Sequence, residues 1–210
     1  MIPEVQTHMN SSKSDKNQGL QLYANLMDEA RVRLHAVRDA IEIRDTWAPR
    51  LLREFCWLQL RMLCEEIAIG CLIAHGDIKN KSALKSWNLP DIMKKLESLN
   101  AESFPRGVRF ETNSLGVHIA DYNLPQLSKK ELIILWQKSG NFLHRGSAKS
   151  LFLEPEKGPV VDLDEILMWG QKIKNLLEQH IITSADQKRH ILAALSADEF
   201  GGRSSVWFAE

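Results

Sequence analysis

The sequence has no surplus of charge: 27 Lys and Arg stand against 27 Asp and Glu in 210 residues. That excludes a whole-surface electrostatic grip on nucleic acid or an anionic membrane, and leaves a local basic patch for such a role. Cysteine is scarce. Cys56, Cys64 and Cys71 share one apolar stretch that reads as a single helix. Neighbours two helical turns apart are roughly 11 Å from each other, beyond the about 7 Å a disulfide spans. They read as buried free thiols, and an odd count with no secretory leader implies a reducing, cytoplasmic setting. No leader is visible because Met1 to Gly19 is polar and rich in Asn, Ser and Lys. It reads as a disordered tail. No uncharged run is long enough for a bilayer either. The most apolar segment, Cys56 to Ala74, contains Arg61, Glu65 and Glu66, each costing about 2.5–3.5 kcal/mol at a bilayer centre. No membrane partner is expected.

Motifs that name a reaction are also missing. The histidines at 8, 35, 75, 118, 144, 180 and 190 show no HExxH, HxxxH or CxxC spacing, so no metal is expected. Gly201-Gly202 lacks the helix and Lys-Ser pair of a phosphate loop, and no GxSxG elbow occurs. No cofactor is expected. Asp162, Asp164 and Glu165 form an acidic cluster that helix capping explains.

What is present is helical periodicity. Leu22, Leu26, Ala30, Val37 and Ile41 place a helix over 20–45. Pro49 to His75 is apolar nearly all round, which predicts a central helix covered on several sides. Asn88 to Asp91 opens a short third helix carrying Ile92, Met93, Leu96 and Leu99. Ser128 and Glu131 form a capping box for a fourth, over 129–145, with Leu132, Leu135, Trp136, Ser139, Gly140 and Leu143 as its buried stripe. Asp162 and Glu165 form a second box, and the fifth helix is predicted to reach Ile182. Residues 104–126 hold two prolines, two glycines and short β-prone pieces, a long loop with room for a small hairpin. Residues 189–209 read as a β-hairpin around Gly201-Gly202, with a short helix from Ser184 as the rival.

The expected fold is mainly α: an antiparallel bundle of about five helices with a small C-terminal β-hairpin appendage. The expected division is a tail over 1–19, a bundle over 20–182 and an extension over 183–210. Trp57, Leu60, Leu63, Ile67, Trp136, Leu143, Trp169 and Ile173 are expected to share one core.

One segment carries candidate chemistry. On the fourth helix Gln137, Asn141 and His144 lie along one row at i, i+4 and i+7, flanked by Lys138 and Arg145. An imidazole near its ordinary pKa beside cations and a carboxamide has the parts for acid–base work on a phosphodiester. Equally, a His in a last helical turn is favoured by the helix dipole alone. Arg61 and Glu65, at i and i+4, read either as a self-satisfied ion pair or as a cation turned toward the His144 helix.

The helix order, Leu60 to Ala68 and Gly140 to Gly146 resemble the HEPN family, named for higher-eukaryote and prokaryote nucleotide binding. The resemblance covers about residues 20–182. It implies an antiparallel helical bundle, a dimer, and RNA, a nucleotide or another protein as partner. Catalytic members cleave RNA without metal, in toxin–antitoxin and phage-defence settings. The 2′-hydroxyl attacks, a His moves the proton, and an Arg stabilises developing charge. Carried over, His144 takes the proton-transfer role, with Lys138 and Asn141 beside it. Arg145, Arg61 and Gln137 would contact nucleic acid. This sequence departs at the Arg, whose place Lys138 holds. Lys lacks the planar fork that grips phosphate oxygens. The resemblance therefore implies a binding or regulatory module first, with a metal-independent endoribonuclease as the alternative.

Overall fold

The computed structural model describes residues 5–75, 88–114, 116–143, 162–183, 190–197 and 202–209. Within them the order is α1 (Val5–Glu42), a 3-10 turn (Arg44–Thr46), α2 (Pro49–Ala74), α3 (Leu89–Leu99), β1 (Arg106–Asn113), β2 (Gly116–Asp121), α4 (Lys129–Leu143), α5 (Leu163–Leu177), β3 (Gln179–Thr183), β4 (His190–Ala197) and β5 (Arg203–Ala209). The chain is mostly helical, as expected. Helix α1 begins at Val5, where a disordered tail was expected. No proline or glycine interrupts Val5 to Gln18, so nothing local stops the helix from extending backward.

Helix α2 packs against α1, α3, α4 and α5. Trp57, Leu60, Leu63 and Ile67 lie in the core with Trp169 and Ile173, and Trp136 packs on its rim. Leu143 is only half-buried. Coverage of α2 is not all round: Leu51, Leu58 and Ile69 are exposed. The caps form as their chemistry requires. Ser128 N–H donates to Glu131 Oε2 at 2.9 Å, and Glu131 N–H returns to Ser128 Oγ at 3.3 Å. At α5 only half of the expected box forms: Asp162 accepts from Glu165 N–H at 2.9 Å, while the Glu165 carboxylate is used elsewhere.

The β structure is larger than the hairpin appendage expected. The described strands make one five-stranded antiparallel sheet in the order β2-β1-β3-β4-β5. The small hairpin expected within 104–126 and the one expected over 189–209 form its two outer pairs, observed at 106–121 and 190–209. Between them lies β3, in residues read as the end of the fifth helix, which stops at Leu177. The C-terminal strands are part of the body. Ile182, Ile191, Ala193 and Leu195 join the helical core.

A buried polar tie explains where β3 sits. His180 on β3 and Tyr23 on α1 are both fully buried, with Tyr23 Oη 2.6 Å from His180 Nε2. His180 Nδ1 lies 3.0 Å from the Leu177 carbonyl, which can only accept. The proton is therefore on Nδ1, and Nε2 accepts from the Tyr23 hydroxyl. The ring of Tyr23 reaches this place because α2 carries Gly70 against it: a Cβ there would sit 3.1 Å from Tyr23 Cε2.

Candidate functional site

The row on α4 is placed as its spacing implies, as far as it is described. Gln137 and Asn141 are exposed on one side of the helix. His144 and Arg145 lie outside the described residues. The other predicted site residues, Lys138 and Arg61, are each committed to a partner.

Arg61, a quarter exposed, does both things proposed for it. Its Nε meets Glu65 Oε1 at 3.2 Å, one turn along α2. Its guanidinium also crosses to α4, 4.3 Å above the Trp136 ring, and donates to the Trp136 carbonyl at 3.2 Å. Trp136 Nε1–H donates to the same Glu65 oxygen at 2.9 Å, closing the network. Gly140 makes room for it. A Cβ at Gly140 would stand 2.9 Å from Arg61 Nη1, so the small residue admits a side chain rather than a neighbouring backbone.

Lys138 turns the other way, to α5, where its ammonium pairs with Glu165. Glu165 Oε1 also accepts from Trp169 Nε1–H at 3.1 Å. The carboxylate expected to close a capping box is thus spent on a cross-helix pair.

The sequence reading missed Arg53. It lies on α2 with its guanidinium 5.4 Å from the centre of the Phe142 ring, near the C-terminal end of α4. Phe142 stacks on Trp57 at 4.3 Å, the planes 15° apart. Lys138 Nζ approaches the same two rings at 5.8 and 6.0 Å. Arg53 Nε is buried without a hydrogen-bond partner, and among the described residues no carboxylate pairs with Arg53. The available signal was Arg53 and Trp57 at i, i+4 on one face of α2. The end of α4 therefore presents Phe142, a guanidinium with unspent donors, and the exposed carboxamide of Asn141. Such a surface can hold a phosphate by charge.

The remaining candidates are elsewhere or inert. Burial pushes the Cys56 thiol up to about 11 and that of Cys71 to about 12, and raises Cys64 too, so none is a ready nucleophile. Among the described residues no group of three or more His, Cys, Asp or Glu could hold a metal ion, and no helix is long and apolar enough to cross a membrane. A cleft of about 300 Å³ opens between β1 and β3, lined in part by Arg109, Glu111, Tyr122 and Glu178. None of the predicted site residues that are described lines it. Comparison with family models, curated proteins and solved structures gives no match.

Proposed function

We propose that this chain is a HEPN-like binding module that associates with RNA or a nucleotide through the C-terminal end of α4, without cleaving it. The observation that carries this is the division of labour among the cations. Lys138 and Arg61 are held by Glu165 and Glu65, while Arg53 lies over Phe142 with no carboxylate partner among the described residues. In the family's cleavage reaction the cation in the motif's place must be free to meet charge that develops in the transition state, and Lys138, which holds that place, is paired with Glu165. A cation already paired must first give up its partner, whereas holding a phosphate asks only for a standing positive potential and unspent donors. Three buried thiols fit a cytoplasmic home for the module.

The test is fluorescence anisotropy with a labelled single-stranded oligoribonucleotide, in chelator, over a salt series. Wild-type protein should bind at low salt and weaken as salt rises. Arg53→Ala should lower affinity several-fold and reduce the salt slope by about one. Arg38→Ala, in an exposed pair with Asp39 on α1, should change little. The oligonucleotide should stay intact. Absence of binding at low salt would refute the reading. Cleavage that disappears in His144→Ala would replace it with the endoribonuclease.

A further inference from the structure

Among the described residues the sheet ends at β2 on one side and at β5 on the other, and the two edges are treated differently. Strand β5 lies along α1, where Asp28 accepts the Ser204 N–H at 2.9 Å. Strand β2 has no comparable cover among the described residues; it packs on β1. Edge strands are normally blunted by lysine, proline, a bulge or a covering element. The stretch Gly116-Val117-His118-Ile119-Ala120-Asp121 contains no Lys, Arg or Pro. Its register with β1 is unbroken, from Val108↔Asp121 to Asn113↔Gly116.

The direction of its free backbone groups follows from β1. Phe110 N–H donates to the Gln179 side chain on β3 at 2.7 Å, and Gly107 N–H turns the opposite way, to Gln126 at 2.9 Å. Alternate residues of a strand point their backbone groups to opposite sides. Arg109, Glu111 and Asn113 therefore bond to β2, through their partners Ala120, His118 and Gly116. That leaves the N–H and C=O groups of Val117, Ile119 and Asp121 directed to the open edge.

We propose that this edge pairs antiparallel with the β2 edge of a second copy of the chain, about a two-fold axis at Ile119. In that register the three outward residues meet outward residues: Ile119 faces its own copy, and position 117 faces position 121. Each chain then offers three donors and three acceptors to the other. Ile119, 37% exposed, gains an apolar neighbour. His118 falls opposite Ala120, and Asp121 opposite position 117, so no two like charges face each other directly. The pairing is isologous, as a two-fold contact requires, and joins two five-stranded sheets into one. It does not depend on the RNA reading, since it uses none of the α4 residues and not Arg53.

Two measurements test it on the full chain. In a hydrogen-bonded antiparallel pair the Cα atoms are about 5.5 Å apart, within disulfide range. Ile119→Cys should give a disulfide-linked dimer with a mild oxidant. Asp121→Cys should not, because its own copy is roughly 13 Å away along the strand. In sedimentation over a concentration series, wild type should dimerise. Ile119→Lys sets two ammonium groups face to face and should weaken that dimer at least about tenfold while leaving circular dichroism unchanged. A wild type that stays monomeric at several hundred micromolar, a dimer indifferent to Ile119→Lys, or equal cross-linking at both cysteine positions would overturn the proposal.

Discussion

Acid titration of the folded protein should separate two buried groups, His180 and Glu66, whose shifts oppose each other. Burial pushes the imidazole of His180 down from 6.5 to about 4, despite its bond to the Leu177 carbonyl. The unfolded chain therefore takes up a proton near pH 6.5 that the folded chain refuses until about 4. Stability from this residue is fully present above pH 6.5 and is lost as pH falls to about 4, a total of roughly 3 kcal/mol from 1.36 kcal/mol per unit. Glu66 runs the other way. It lies 3% exposed between α1 and α2, bonded to Arg33, which Glu29 and Gln59 also engage. Burial, only partly offset by Arg33, raises its carboxyl to about 7, and its Oε2 has no hydrogen-bond partner. The folded chain then takes up this proton before the unfolded one. Its contribution is fully present below pH 4.5 and is lost as pH rises through about 7.

Between pH 6.5 and 4.5 the two slopes oppose each other, so wild type should show a shallower dependence than either variant. Urea unfolding at half-unit intervals from pH 7.5 to 4 gives the curves. Glu66→Gln should lose stability toward acid at up to about 1.4 kcal/mol per pH unit. His180→Gln should shift the other way relative to wild type, whatever its absolute stability. The comparison is of slopes, so a cost of substitution common to all pH values does not enter. Three parallel curves would refute the reasoning, because they would mean that neither group changes its proton affinity on folding.

Two further perturbations test the packing. Leu63 is fully buried at the centre of α2, and Leu63→Ala should cost about 2–5 kcal/mol in urea unfolding. Gly107→Ala and Gly140→Ala should differ although both added methyl groups meet close atoms. At Gly107 the Cβ would stand 2.8 Å from the Asn175 backbone oxygen, which cannot swing aside, so a loss of about 1–3 kcal/mol is expected. At Gly140 it meets only the tip of Arg61, and the helix propensity gained, about 1 kcal/mol, offsets the displacement. Thermal melting of both variants checks the contrast.

The helical part of this fold was legible because its signals are local. The Ser128–Glu131 box, Pro49 at the first turn of α2 and the apolar spacing of α2 and α3 all lie within a few residues of what they specify. The hairpins at 106–121 and 190–209 were legible through β-prone runs broken by turn residues. Strand β3 was not. Gln179 to Thr183 follows Leu176 and Leu177 with Ile181 and Ile182, a spacing that continues a helix as well as it starts a strand. What decides it is distant in sequence. His180 meets Tyr23 in the buried interior, and β3 joins β1 on one side and β4 on the other. No local propensity reports those partners.

The same distinction governs the site. Spacing placed Gln137 and Asn141 on one exposed side of α4, because position on a helix is a local property. Whether a cation there is available is not local. The Arg61–Glu65 pair was legible because it lies one turn along a single helix, whereas Lys138 looks free in the sequence and meets Glu165 on α5. Arg53 looks like one charge in an apolar helix; among the described residues it has no carboxylate partner, and its guanidinium lies over Phe142, which α4 brings to it. Charge balance is thus settled by how helices cross, which a row of side chains on one helix cannot show. Among the described residues the cation at this end of α4 without a carboxylate partner comes from α2, and substituting Lys138 with Arg would lengthen a side chain already bound to Glu165 rather than supply a free one.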